Sequence, residues 1–167
     1  RMSSESLSLN HQNNTLIITD LKNGWSHTLT SVERIQFTDK KLAFDNDGHA
    51  GEAAKVIGAF LGAESIQNAE LVGTVLGLLD GGLSYDDLLQ TALSSVFGEN
   101  PSSISLVNHF HNSLTGMPAS EQVLLTYSEL LENGSLSALE FAKSAADYEL
   151  NLQNIDLVGI ASYGLEY

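Results

Sequence analysis

The feature that most limits the fold of this chain is a change of hydrophobic period inside residues 32–52, V-E-R-I-Q-F-T-D-K-K-L-A-F-D-N-D-G-H-A-G-E. Ahead of this run apolar residues alternate, as on half-buried strands. Behind it they recur every three or four residues, as on amphipathic helices. No single repeating architecture accommodates both periods, so the chain reads as α+β. A small antiparallel β meander is expected over residues 1–46 and a mostly α-helical domain over 47–167.

Within the first part, Leu7 and Leu9 alternate with serine, and residues 15–19 (T-L-I-I-T) are rich in β-branched side chains. Asn23-Gly24 favours a tight hairpin turn, with Trp25 to Leu29 as the strand beyond it. Ile35 and Phe37 then share one strand face, and Leu42 and Phe44 another. So few residues bury little area, and the meander must lean on the helices.

From Ala50 onward the apolar residues fall in stripes. Ala53, Val56, Ile57, Phe60 and Leu61 form one, Leu71 to Leu79 a second, and Tyr85 to Val96 a third. Gly62, Gly81-Gly82 and Gly98 stop them, and Ser84 with Asp87 opens the third like a capping box. A second set follows with stripes on Leu106 to Leu114, Val123 to Leu131 and Leu139 to Ala146, the last opened by a full Ser137-x-x-Glu140 box. Matching Gly62 to Gly116 and Gly81-Gly82 to Asn133-Gly134 gives an offset of about 53, so two similar helical repeats are expected, near 50–100 and 104–150. Residues 151–162 should then close the domain as one helix, with Leu152, Ile155, Val158 and Ala161 inward.

Composition excludes several classes of function. Seven Lys and Arg stand against 21 Asp and Glu, a formal charge of −14, and no basic residue lies between Lys55 and Lys143. Such a surface repels polyanions, so no nucleic acid and no anionic membrane is expected as a partner. No apolar run approaches the ~20 residues of a transmembrane helix. The opening Arg1-Met2-Ser3-Ser4 suits a fragment or a tagged chain, so the lack of a leader carries no information. Cysteine is absent, which removes disulfides, thiolate metal sites and cysteine nucleophiles together.

The joint 32–39, continuing through Leu42-Ala43-Phe44-Asp45 and Asp47-Gly48-His49-Ala50-Gly51-Glu52, resembles the segment that follows RTX repeats in many secreted bacterial proteins. The C-terminal half resembles the helical family called domain of unknown function 4214. Residues 106–116 look like its glycine-terminated helix and Leu131-Glu132-Asn133-Gly134 like its second turn. Residues 141–151 with 159–167 look like its closing elements. The chain departs from that family at Phe110 or His111, where tyrosine is usual, and at Met117, where arginine is usual. The resemblance implies secretion by the type I route, an extracellular or cell-surface location, and an upstream RTX region of the same polypeptide as partner. It implies no enzymatic activity.

Asp45, Asp47 and Glu52 are the candidate metal ligands, for calcium and no other cofactor. The D-x-D-G order puts two carboxylates beside a tight turn whose glycine frees a carbonyl. It is not an EF-hand, because Ala50 and Val56 stand where that loop needs glycine and glutamate. The same residues also suit a turn leading into a helix whose dipole favours Glu52. Calcium at these acids would lower their mutual repulsion and couple folding to a calcium-rich exterior.

His109 and His111 are two apart, face different ways on a helix and cannot chelate one ion; they read as surface residues. Asp86-Asp87 reads as helix-start charge. Trp25 and Tyr85 read as packing. No nucleophile elbow, P-loop or dinucleotide fingerprint occurs.

The chain is therefore expected to be a structural or interaction module. The alternative is a binding module that takes a ligand or partner protein in a groove between helices. A weaker reading is a hydrolase using Glu129 and Glu132 on one helix face. The sequence leaves homo-oligomer formation open.

Overall fold

Alternation becomes strand where the sequence demands it. β1 (Leu7–Gln12), β2 (Thr15–Asp20) and β3 (Ser26–Thr30) form an antiparallel sheet in the order β1-β2-β3, with Leu16 and Ile18 buried on the inner face of β2. The computed structural model describes residues 3–12 and 14–167; Arg1, Met2 and Asn13 lie outside the described residues. Asn23-Gly24 does turn the chain, but in a loop of residues 21–24 closed by the Asp20 amide on the Trp25 carbonyl at 2.9 Å. The Asp20 carboxylate holds that loop by accepting the Lys22 and Asn23 amides at 2.7 and 2.8 Å. Gly24 sits at φ +71°, which a side chain disfavours.

A second sheet has the order β4-β5-β6. Its strands are β4 (Arg34–Gln36), β5 (Lys41–Ala43) and β6 (Leu165–Glu166), the last two residues but one of the chain. The β element expected over 1–46 is therefore completed by the far end of the polypeptide. Gly164 permits this return: its φ is +80°, and a Cβ there would lie 3.0 Å from Leu42 Cβ and from Phe44 Cε1. The Tyr167 amide then donates to the Lys41 carbonyl at 3.1 Å.

The helices come as two triplets. α1 (His49–Leu61), α2 (Ala69–Asp80) and α3 (Tyr85–Phe97) are answered by α4 (Ser103–Thr115), α5 (Glu121–Glu132) and α6 (Ala138–Ala146). Starts at 49, 69 and 85 against 103, 121 and 138 give offsets of 54, 52 and 53. The first helices pack on each other, α1 on α4, and so do the third, α3 on α6. Caps follow the sequence: Ser84 accepts the Asp87 amide, and Ser137 with Glu140 forms a reciprocal capping box. The chain between α1 and α2 adds a 3-10 turn, Ala63–Gln67.

The single closing helix expected over 151–162 is instead two, α7 (Glu149–Asn154) and α8 (Leu157–Tyr163). Asp156 separates them in the left-handed region, φ +48°, and its carboxylate caps α8 through the Gly159 amide at 3.2 Å. The break rotates the inward face, so Ile160 is buried and Val158 is exposed.

α1 runs through the middle, with nine of its residues buried. One core joins it to the end of α2 and to α3, α4 and α6, around Phe60, Leu79, Leu89 and Phe110. Another joins Ala50, Ile57, Val72 and Leu76 to β5, β6 and α8 through Ala43, Leu165 and Ile160. The third lies between the sheets on Leu16, Phe37, Leu42 and Phe44.

Candidate functional site

A half-open cleft lies in the second triplet. α4 contributes Phe110, His111 and Leu114 to it, α5 contributes Tyr127, and α6 contributes Phe141 and Ala145, around a volume of about 490 Å³. The stripes of these three helices converge on it because their apolar residues recur at three and four positions. The Phe110 and Phe141 rings meet edge-on with centroids 5.7 Å apart, and Tyr127 lies 5.4 Å from Phe141. Phe110 also meets Phe60 edge-on at 4.9 Å, which fixes the cleft floor to the main core. Edge-on ring pairs of this kind add about 0.5–1.5 kcal/mol each beyond the area they bury.

Polar groups in the cleft are few. His111 Nδ1 lies 2.9 Å from the Met117 carbonyl, which can only accept, so Nδ1 carries the proton. Nε2 makes no hydrogen bond among the described residues. Thr115, Ser144 and Tyr148 complete the wall. An apolar hollow of a few hundred Å³ with a few convergent polar groups is the usual form of a small-ligand site.

A more open groove flanks the other side of α5, between Ile104 of α4 and Leu124, Leu125 and Ser128. Its volume is about 720 Å³, and Glu129 and Glu132 stand on its rim. Both carboxylates are exposed, so the water-excluding cleft that a two-carboxylate hydrolase needs is not built around them.

The expected metal ligands are not brought to one point. Asp45 turns inward, where it pairs with Arg34 and accepts the Ala50 amide at 3.2 Å. Asp47 is exposed at the tip of the turn. Glu52, one turn into α1, makes no ion pair among the described residues, and its charge contributes in a minor way to raising Tyr85 and Lys143. Among the described residues no three His, Asp or Glu side chains form a group that could hold a metal ion. Locally, Gly51 lets α1 sit directly on the Asn46 carbonyl, and α1 packs against α3 and α6. Beside Asp45 lies a polar hollow of about 630 Å³ that also reaches His11. His11 bonds the Ala161 carbonyl through Nδ1 and its ring lies tilted against Phe44, while its buried Nε2 has no partner among the described residues.

His109 and His111 face different ways, as their spacing requires, but neither is a free surface residue. His109 Nε2 lies 2.9 Å from the Phe60 carbonyl and its ring meets Phe97 edge-on. Asp87 caps α3, whereas Asp86 reaches across to Lys143 at 2.6 Å. Trp25 packs on His27 within the hairpin.

Sequence reading missed what gathers on Tyr85. The ammonium groups of Lys55 and Lys143 lie 5.5 and 5.6 Å from its ring centroid, and its hydroxyl donates to Asp147 at 3.2 Å. Lys55 pairs with the same Asp147 at 3.0 Å. Burial, then Asp147, pushes the Tyr85 phenol above its ordinary value; the hydrogen bond to Asp86 raises Lys143. These are the two basic residues of 46–167, and both tie α1 and α6 to α3. The long interval without a basic residue was the available signal. With both cations occupied here, the rest of the helical surface is acidic.

Compared with known proteins, the chain matches no family model, no curated protein and no solved structure. No helix among the described residues is long and apolar enough to cross a membrane.

Proposed function

We propose that this chain is a non-enzymatic interaction module of a secreted, RTX-type bacterial protein, and that its working part is the aromatic cleft of the second triplet. The observation that carries the binding part is the 490 Å³ hollow floored by the Phe110, Tyr127 and Phe141 rings. Its occupant is a neutral apolar group of aromatic size with one polar end. Stacking on the rings supplies affinity, and Nε2 of His111 supplies an acceptor. Anionic ligands are disfavoured, because α4 and α5 carry no lysine or arginine and the surrounding surface is acidic.

The export part rests on the residues of 32–52 and of the tail, with the lack of cysteine in accord. Reading the frame ahead of Arg1 for glycine- and aspartate-rich nonapeptide repeats tests it. The binding part is tested by titrating isotope-labelled protein with indole and with indole-3-acetate. Saturable shifts on α4, α5 and α6, weaker for the acid and lost in Ala145→Leu, are expected. An indole titration that stays linear to about 5 mM, in the weakest range of specific binding, would sink the reading.

A further inference from the structure

The open groove between α4 and α5 has a filled counterpart within the same molecule. Through the offsets of 54 and 52, Ile104 corresponds to Ala50, Leu124 to Val72, Ser128 to Leu76 and Glu132 to Asp80. Ala50 and Val72 are fully buried, and with Leu76 they belong to the core that takes in Ala43 of β5, Leu165 of β6 and Ile160 of α8. Beyond the apolar contact, Asp80 is met by His49 of α1 at 2.8 Å and by Arg34 of β4 at 3.5 Å. The first groove thus shows what covers such a face: short extended strands, joined by α8, with small or branched apolar residues, plus a guanidinium that shares with His49 the acid ending the second helix.

In the second triplet the cover is missing and the chemistry remains. Ile104 is 58% and Leu125 62% exposed. Ser128 is buried, lines the groove, and its hydroxyl has no partner among the described residues. Glu129 and Glu132 line the rim with no ion pair among the described residues, and no basic residue between 56 and 142 can neutralise them.

We propose that the α4/α5 groove docks a short, extended apolar segment of a partner protein that carries arginine or lysine. Its apolar residues cover Ile104, Leu124 and Leu125. Its cation meets Glu132 as Arg34 meets Asp80, and a backbone or side-chain group pairs with the Ser128 hydroxyl. A second copy presenting the same face is disfavoured, because it would set Glu129 and Glu132 against themselves. The site lies on the opposite side of α5 from Tyr127, so it stands whether or not the aromatic cleft binds a ligand.

The test uses the whole labelled chain and a synthetic peptide of its own residues 33–44, the stretch that supplies Arg34 and Ala43 to the filled groove. A control peptide carries R34E, K40E and K41E. Saturable shifts centred on Ile104, Leu125, Ser128 and Glu132 are expected, with the control at least about tenfold weaker, a loss typical of reversing charges at a polar rim. Leu125→Asp and Glu132→Lys, both at exposed positions, should weaken the first peptide to a similar degree while circular dichroism stays unchanged. Three results overturn the proposal: no saturation by about 2 mM, shifts confined to the aromatic cleft, or equal affinity for both peptides. Shifts at these residues that follow the concentration of the protein alone assign the groove to a second copy and also overturn it.

Discussion

The two helix triplets have the same order, and their first and second helices have the same lengths, yet one is closed and the other open. In α1 and α2 the face toward the sheets carries Ala50, Gly51, Ala54, Gly58 and Gly73, and other parts of the chain come into contact with it. In α4 and α5 the corresponding positions hold Ile104, Ser105, Asn108, Asn112 and Leu125, and among the described residues the only hydrogen bond to their side chains comes from the Ala119 amide, on Asn108 at 3.0 Å. Residue size separates the two cases. Small residues admit a neighbouring backbone, and larger ones project and wait for a partner. Among the described residues the only buried position on α5 is Ser128, whereas α2 buries Val72, Leu76 and Leu79.

The sharpest way to break this comparison is Gly51→Ala. Its Cβ would lie 1.9 Å from the Asn46 carbonyl oxygen, a backbone atom that cannot step aside. A loss of about 3 kcal/mol or more is expected in denaturant unfolding, while Ser105→Ala at the matching exposed site of α4 should change stability by less than about 0.5 kcal/mol. Equal effects would mean that the triplets are not differently loaded. Next comes a matched pair in the second helices: Leu79→Ala should cost about 3 kcal/mol, and Leu131→Ala, half-buried at the corresponding place, about 1 kcal/mol.

A smaller effect of opposite sign is expected at Ser128. Removing a hydroxyl that has no partner among the described residues, inside a helix, should raise stability by about 0.5–1 kcal/mol. The same change should weaken the docking peptide, so gain in stability and loss in binding go together. Stabilisation without loss of binding would show that the hydroxyl serves no partner.

The smallest effect concerns the sheets. Hydrogen bonds from Ser4, then Ser3, hold the Asp39 carboxyl down to about 2 from its ordinary 3.8. Because the folded value is the lower one, the contribution is present above pH 3.8 and fades as pH falls toward 2. The 3-10 turn Ser4–Ser6 should therefore detach from the β4–β5 turn in that window, read from the Ser4 amide, and Asp39→Asn should detach it at neutral pH. Neither change should reach the α4/α5 groove.

The sequence made much of this legible because local patterns decide local structure. Alternation at 15–19, the Ser84 and Ser137 caps and the terminal glycines set strands and helix ends with no help from distant residues. What escaped depends on contacts far apart in sequence. β6 is only two residues long and acquires its strand character from β5; Asp156 breaks α8 by a left-handed backbone that no periodicity announces. The placement of the three acids also depends on distant contacts: Arg34, eleven residues upstream, pairs with Asp45, and the charge of Glu52 is felt at Tyr85 of α3. The aromatic cleft was half visible. Phe110 and Tyr127 stood in recognised stripes, but only the packing of α4, α5 and α6 shows that the stripes stop short of filling the space between them.

Amide hydrogen exchange under native conditions tests most directly whether α5 is the uncovered counterpart of α2. Both are 12-residue helices, so length does not distinguish them, and burial does. The account predicts that the central amides of α5 exchange at least about tenfold faster than those of α2, equivalent to about 1.4 kcal/mol less protection, and that the 33–44 peptide slows α5 alone. Equal protection of the two helices without any ligand would contradict it.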